Sequence, residues 1–295
     1  SIESIKFNAP RNYQTQNRAV IDNDYQRIIL AENSDLQSVI AFGGEQATPP
    51  VYGKVYIAVK PFAERFATNT RKTQIKEGIA DRVPLAIDPV IIDADYTYVV
   101  PTITTYYDLT STTSTSSAIE QSIRDAVSTF STNNLERFGN RLRFSRFVRA
   151  LDNTSNGYIL NNDVSLKLEK RFVPDFGKLQ TISLNYNNAI RKSTLDSTQF
   201  TYKGFESYLD DDGLGNVNVY RFNDAKAKVN ITNNVGTINY ETGAVLITGI
   251  APTAVADLEL KVSVIPERLD VIPIREQILL MESGDAVISV VGENS

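Results

Sequence analysis

Five arginines, Arg137, Arg141, Arg143, Arg146 and Arg149, fall within thirteen residues. They alternate with the apolar residues Leu142, Phe144, Phe147, Val148 and Leu151, which are expected to face inward. The guanidinium groups would then share an outward surface. Arginine presents a planar fork of donors suited to carboxylates and interfaces. The chemistry this spacing offers is electropositive docking of an acidic partner or a second copy. The plain alternative is a solvated face with local ion pairs. Nucleic acid fits less well, because Phe144 and Phe147 are expected to be buried and so unavailable for base stacking.

Other reactive constellations fail on inspection. Asp210, Asp211 and Asp212 with Gly213, Asn216 and Asn218 resemble a calcium loop. Placing Gly213 at the sixth position of an EF-hand puts Tyr208 at the first and Val219 at the twelfth, so no ligand set forms. An acidic turn explains the stretch better. Asp93 and Asp95 form a carboxylate pair of a kind every globular protein offers, which is no evidence for glycosidase chemistry. Gly43 and Gly44 read as a turn rather than an anion nest. The sequence of 295 residues has no Cys and no His, and its composition holds no Trp. Thiolate chemistry, disulfides and sulfur-ligated metals are excluded, and the commonest general base is missing. No catalytic, cofactor-binding or metal-ligating residue is expected, and the chain is read as a non-enzyme with no cofactor. The balance of 30 Lys+Arg against 35 Asp+Glu, a net charge of −5, argues against a general nucleic-acid binder. There is no apolar run long enough to span a membrane. The chain starts at Ser1 and its one Met is Met281, so an N-terminal part is expected to be missing.

The arginines must be positioned by the stretch from Ser117 to Arg171, which reads as helix, short extended piece, helix, strand. Ser117 and Glu120 have the capping-box spacing. Ile119, Ile123, Ala126, Val127 and Phe130 share one helical face. Leu142 and Phe144 suggest a short strand, and Ser145 a cap for the second helix. Asn156-Gly157 signals a turn. Val164, Leu166 and Leu168 have the period of a strand. The run Thr110–Ser117 reads as a solvated loop ending in a helix cap.

Earlier in the chain, residues 1–20 are polar, with Ala9-Pro10 breaking any helix. A helix capped by Asp22 or Asn23 is predicted to run to about Glu32, with Tyr25, Ile28 and Ile29 inward. Strands are predicted over Leu36–Phe42 and Lys54–Lys60, and Gln46–Pro50 forms a loop between them. A helix from a Thr70 cap to Arg82 buries Ile75 and Ile79. Strands at Val90–Asp93 and Thr97–Asp108 follow. Tyr96, Tyr98 and Tyr106 share parity on the latter, opposite Val99, Ile103 and Tyr107, which suits packing under a helix or an interface. After Phe172-Val173-Pro174 the helices stop. Short strands include Thr181–Tyr186, Val217–Phe222, Leu258–Val264, Gln277–Met281 and Ala286–Val291. Glu241–Gly243 reads as a three-residue hairpin loop between Thr237–Tyr240 and Ala244–Ile247. The expected class is α+β: an α/β region over 1–171 with a mixed sheet and amphipathic helices, open to a split near Asp93, then a mostly antiparallel all-β region over 172–295.

These motifs in this order resemble the baseplate J-like family of contractile tails. The carriers are Arg18–Tyr25 (RAVIDNDY), Gly43-Gly44, Pro49–Ile57 (PPVYGKVYI) and the helix-strand-helix region from Ser117 to Leu151. Gly236–Gly243 (GTINYETG) and Pro266–Gln277 resemble the β extension of this family's wedge members in T-even bacteriophages. The resemblance implies a structural subunit of the baseplate wedge in the virion, assembled in the host cytoplasm. It implies self-association as a homodimer, contacts with other wedge proteins, and a ring of wedges around the hub. It carries no catalytic residues. The competing readings are a receptor- or glycan-binding module of the tail-fibre kind, and a glycan-cleaving tail enzyme.

Overall fold

The computed structural model describes residues 18–47, 49–154 and 157–294. The polar stretch over residues 1–17, Thr48 of the Gln46–Pro50 loop and Asn156 of the expected turn lie outside the described residues. The protein is α+β and divides into two compact units. The chain changes unit at Asp95/Tyr96, returns to the first for Arg137–Gly139 and Ile274–Ile278, and otherwise stays in the second.

The first unit contains helix α1 (Asp22–Glu32), strand β1 (Leu36–Gly43), strand β2 (Lys54–Pro61), helix α2 (Asn69–Ile79) and strand β3 (Asp88–Asp93). Strands β1 and β2 pair antiparallel, and β2 and β3 pair parallel. A parallel pair requires a crossover, and α2 supplies it. Tyr25, Ile28 and Ile29 of α1 join Val39, Ile57, Val59, Ile75 and Ile79 in one apolar core. Lys72 and Lys76 of α2 reach Asp93 and Asp88 of β3 at 2.5 and 2.8 Å. The cap positions differ from the expected ones. Helix α1 starts after Ile21, whose N–H is taken by the Asp24 carboxylate at 3.1 Å. Thr68, not Thr70, caps α2 by accepting from Arg71 N at 3.3 Å. Of the Gly43-Gly44 pair, Gly43 ends β1, paired with Val55, and Gly44 opens a short 3-10 helix over Gly44–Gln46. A Cβ on Gly44 would lie 2.0 Å from the Val51 carbonyl oxygen, so the close return of the chain needs glycine there.

The second unit is a long sheet with two helices. Its strands are β4 (Asp95–Asp108, from Tyr96 on), β5 (Ile159–Phe172), β6 (Gln180–Asn185), β7 (Asp196–Ser197), β8 (Phe200–Tyr202), β9 (Phe205–Asp211), β10 (Asn216–Phe222), β11 (Lys228–Asn239), β12 (Ala244–Ile250), β13 (Ala254–Val255), β14 (Leu260–Val264), β15 (Gln277–Leu280, from Leu279 on) and β16 (Val287–Glu293). The order runs β4-β5-β14-β7-β9-β10-β11-β12-β6. The pairs along it are antiparallel, whereas β16 lies parallel to β4 from Val287↔Thr102 to Glu293↔Asp108. The residues on either side of Phe172 share this sheet, because β5 pairs with β14 from Leu168 through Phe172.

Helices α3 (Ser116–Asn134) and α4 (Phe144–Asp152) cover part of it. Ile123, Val127 and Phe130 of α3 and Phe147 and Leu151 of α4 join Ile103, Leu166 and Val262 in one cluster that continues to Val217 and Ile247. Thr115 caps α3, accepting from Ala118 N at 3.3 Å. Ser117 therefore lies inside the first turn, and Glu120 pairs with Arg124 one turn on instead of closing a capping box. The hairpin after β11 has a four-residue loop, Tyr240–Gly243. The Asn239 side chain accepts from Glu241 N and Thr242 N there. Gly243 sits at φ +73°, as its position in the loop requires.

Candidate functional site

The arginine helix is built by contacts distant in sequence. Leu142 exchanges two backbone hydrogen bonds with Val271, at 2.9 and 3.1 Å. The Asp270 carboxylate then accepts from Phe144 N at 2.8 Å. Together they fix where the extended chain turns into helix. The expected strand at Leu142–Phe144 is thus a single bridge at Leu142, and Phe144 opens α4. Arg143 holds the cap position without a side-chain bond, so Ser145 is not the cap. Phe147 and Leu151 are fully buried, and the Phe147 ring packs on Phe130 at 5.1 Å between centroids. At the far end Asp152 accepts from Asn162 Nδ2 at 2.8 Å, tying the helix to β5.

This packing turns Arg143, Arg146 and Arg149 outward at three-residue spacing, with Arg141 exposed just ahead of them. Residues three apart are neighbours on a helix surface. Arg137 is also exposed but belongs to the first unit, so the five split between the two units. Among the described residues no carboxylate pairs with any of the five guanidinium groups. Two of them, Arg143 and Arg146, stand at the positive end of the helix dipole, where a cation costs a few tenths of a kcal/mol. Fold stability alone does not account for that placement.

A second charged cluster went unseen in the sequence. Arg171, on β5, has a side chain only 6% exposed. Its guanidinium donates to Glu169 at 2.6 Å, Glu282 at 2.8 Å and Asp285 at 2.6 Å, and lies 3.7 Å over the Tyr98 ring. Burial pushes the Glu169 carboxyl above its ordinary value, against the pull of Arg171. Burial also works to raise Asp285, but the hydrogen bond and charge of Arg171 outweigh it and hold Asp285 low. The two carboxylates thus move in opposite directions around one cation, and the less exposed Glu169 is the one pushed up. Arg124 holds the same turn from the other side, donating to the carbonyls of Ser283 at 2.7 Å and Ala286 at 3.2 Å. The guanidinium fills the space between the carboxylates. Among the described residues no set of three or more acidic side chains is arranged for a metal. The cluster is a clamp on the turn that leads into β16.

In the acidic loop Asp211 and Asp212 are satisfied within the chain, and Asp210 pairs with Lys228 through one oxygen while its other is buried without a partner among the described residues. Asp212 accepts from Leu214 N at 2.8 Å and Asn216 N at 3.0 Å, as in an Asx turn. Asp211 is buried and accepts from Ser193 N, Leu195 N and the Tyr240 hydroxyl at 2.7–2.8 Å. Of the tyrosines on β4, Tyr107 is buried with its hydroxyl 3.2 Å from Ser116, and Tyr98 lies under Arg171. Tyr106 is half-exposed.

Two family models match the chain side by side. Residues 21–92 match C-terminal domain I of the baseplate structural protein gp6, and residues 95–171 match C-terminal domain III of the same protein. A curated relative, baseplate wedge protein gp6 of Enterobacteria phage T4, is 23% identical over 212 residues. That match takes in 72% of this chain and 31% of the relative, so the chain spans about a third of the protein it matches. From Ile21 to Arg171 the chain is therefore gp6-like, similar to a structural protein of the phage tail baseplate.

Proposed function

We propose that this chain is a non-enzymatic structural subunit of a baseplate wedge in the tail of a virion. The observation that carries the reading is the succession of two gp6 domain models along Ile21–Arg171, with a relative named for the wedge. The narrower likeness to the baseplate J-like family, through Arg18–Tyr25 and Pro49–Ile57, is part of the same proposal. The work of such a subunit is geometric. Two compact units on one chain offer separate contact surfaces. The chain associates with itself as a homodimer, meets other wedge proteins and contributes to joining wedges into a ring, with no role for nucleic acid or membrane insertion. Among the described residues no helix is long and apolar enough to cross a membrane. Assembly takes place in the host cytoplasm. The exposed arginines are the docking surface of first choice.

Sedimentation of the chain alone, and mixed with the other wedge proteins of its phage, tests the proposal. A concentration-dependent dimer and co-sedimentation with at least one wedge protein are expected. A chain that stays solitary in every mixture would refute it.

A further inference from the structure

The geometry points to an acidic protein segment carrying an embedded aliphatic side chain as the ligand of the α4 face. The inference rests on the reading of the chain as an assembly subunit and names the chemistry of one of its partners.

Charge complementarity is the first ground. Arg141, Arg143, Arg146 and Arg149 are exposed and have no carboxylate partner among the described residues, in a chain whose net charge is −5. Elsewhere in the second unit Arg124 and Arg171 are engaged by Glu120 and by Glu169, Glu282 and Asp285. The exposed Arg191 and Arg268 also lack a carboxylate partner among the described residues but stand singly, not as a cluster. Two of the free arginines crowd the end of a helix that already favours negative charge. The Asp270 carboxylate already meets the dipole there, and a segment bearing further carboxylates offsets the cations.

A groove is the second. A hollow of about 470 Å³ runs between α3 and α4, with Ala126, Thr129, Phe130, Asn133, Ala150 and Thr154 among its walls. On α4, Arg146 and Ala150 are four residues apart, so Arg146 stands one turn before the groove wall on the same side, and Thr154 follows in the turn after the helix. The groove floor is apolar at Ala126, Phe130 and Ala150, and its rim is polar. Asp125, the carboxylate in the wall, already accepts from Gln121 Nε2 at 2.9 Å. A segment lying along α4 would place carboxylates on the arginines and drop an aliphatic side chain into the hollow. A phosphate backbone would use the cations but leave the apolar floor empty. No aromatic face is offered to bases, since Phe147 is fully buried and Phe144 half-buried.

The test uses the full 295-residue chain and fluorescence anisotropy at low salt. Three probes are compared: a decapeptide of glutamates with a central leucine, an all-glutamate decapeptide, and a short DNA duplex. The leucine peptide is expected to bind most tightly. R143E/R146E is expected to weaken both peptides about tenfold or more, as loss of a complementary charge pair does. A150F is expected to fill the groove and abolish the advantage of the leucine peptide alone. Circular dichroism on each variant confirms that the helices remain. The inference is overturned if the native chain binds neither peptide at millimolar concentration, if the duplex binds more tightly than the peptides, or if A150F leaves the leucine preference intact. Co-sedimentation of the native chain with wedge proteins can persist through its other surfaces when peptide binding fails, so the two proposals fail separately.

Discussion

The carboxylate of Asp270 accepts the N–H of Phe144 at 2.8 Å across 126 residues of sequence, so the arginine helix is started by a residue far from it. The neighbouring Leu142–Val271 bridge secures the same junction. D270A removes one capping acceptor and is expected to cost about 1 kcal/mol. The urea midpoint should fall with the slope unchanged. An unaltered midpoint would mean that the Leu142 bridge alone sets the helix start.

Replacing Arg171 by Ala or Met strands three carboxylates around a vacated, largely buried position. Removing one partner of a buried ion pair typically costs about 3–5 kcal/mol. Both variants should unfold at clearly lower denaturant, R171M included, because packing volume does not replace the charge. A loss below about 1 kcal/mol would show that the three acids are neutral or solvated without it.

The same cluster gives a pH dependence with two signs. Glu169 binds its proton more tightly folded than unfolded. Its burial therefore weighs against the fold at neutral pH, and that cost is relieved as pH falls through its raised value, above the ordinary 4.5. Asp285 binds its proton less tightly folded, so its contribution is present above the ordinary 3.8 and is lost as pH falls through its depressed value. Unfolding free energy measured against pH should show a small gain on mild acidification and a loss at stronger acid. E169Q should diminish the first feature and D285N the second, the remainder coming from Asp22, which is also raised, and from Asp35, Asp88 and Asp212, which are also held low.

Gly243 combines a φ of +73° with a close approach, since a Cβ there would lie 2.3 Å from the Asn188 carbonyl oxygen. The left-handed conformation alone costs about 1–2 kcal/mol for an alanine, and the clash adds to it. G243A is expected to lower the midpoint of thermal unfolding by several degrees, about what a loss of 2 kcal/mol gives a chain of this size. An unshifted midpoint would show that the hairpin relaxes away from Asn188.

Neutralising Arg143 and Arg146 with glutamine should slightly stabilise the isolated chain, by a few tenths of a kcal/mol, because two cations leave the positive end of a helix. Self-association or wedge binding should weaken in the same variant. Stability and assembly measured side by side separate a docking face, where they move in opposite directions, from an ordinary solvated one, where assembly stays put.

Periodicity in the sequence located the regular elements well. The face of α3 from Ile119 to Phe130, the inward pair Phe147 and Leu151, and the alternation through Val164, Leu166 and Leu168 are local patterns, and burial follows them. Helix starts were less legible. Ser145 looked like a cap because it is a good one locally, but Asp270 competes for the same role from 126 residues away. Thr115 pre-empted Ser117 because another hydroxyl stood two positions earlier. Arg171 was invisible for a related reason. In an alternating strand it reads as one more outward charge, and two of its partners lie 111 and 114 residues further on. The run Glu169–Lys170–Arg171 was the available signal, since three consecutive charges on an interior strand demand partners. The arginines on α4 were legible as a patch. Their division between two units was not, because no local pattern marks Arg137–Gly139 as belonging elsewhere.

The parallel seating of the strand Val287–Glu293 on Thr102–Asp108 bears on how the molecule is made. During synthesis, residues 102–108 leave the ribosome long before their neighbour exists. At usual elongation speeds the gap is on the order of ten to forty seconds. For that interval this flank of Thr102–Asp108 is bare, and only translation of Val287–Glu293, behind the turn latched by Arg124 and Arg171, seals it.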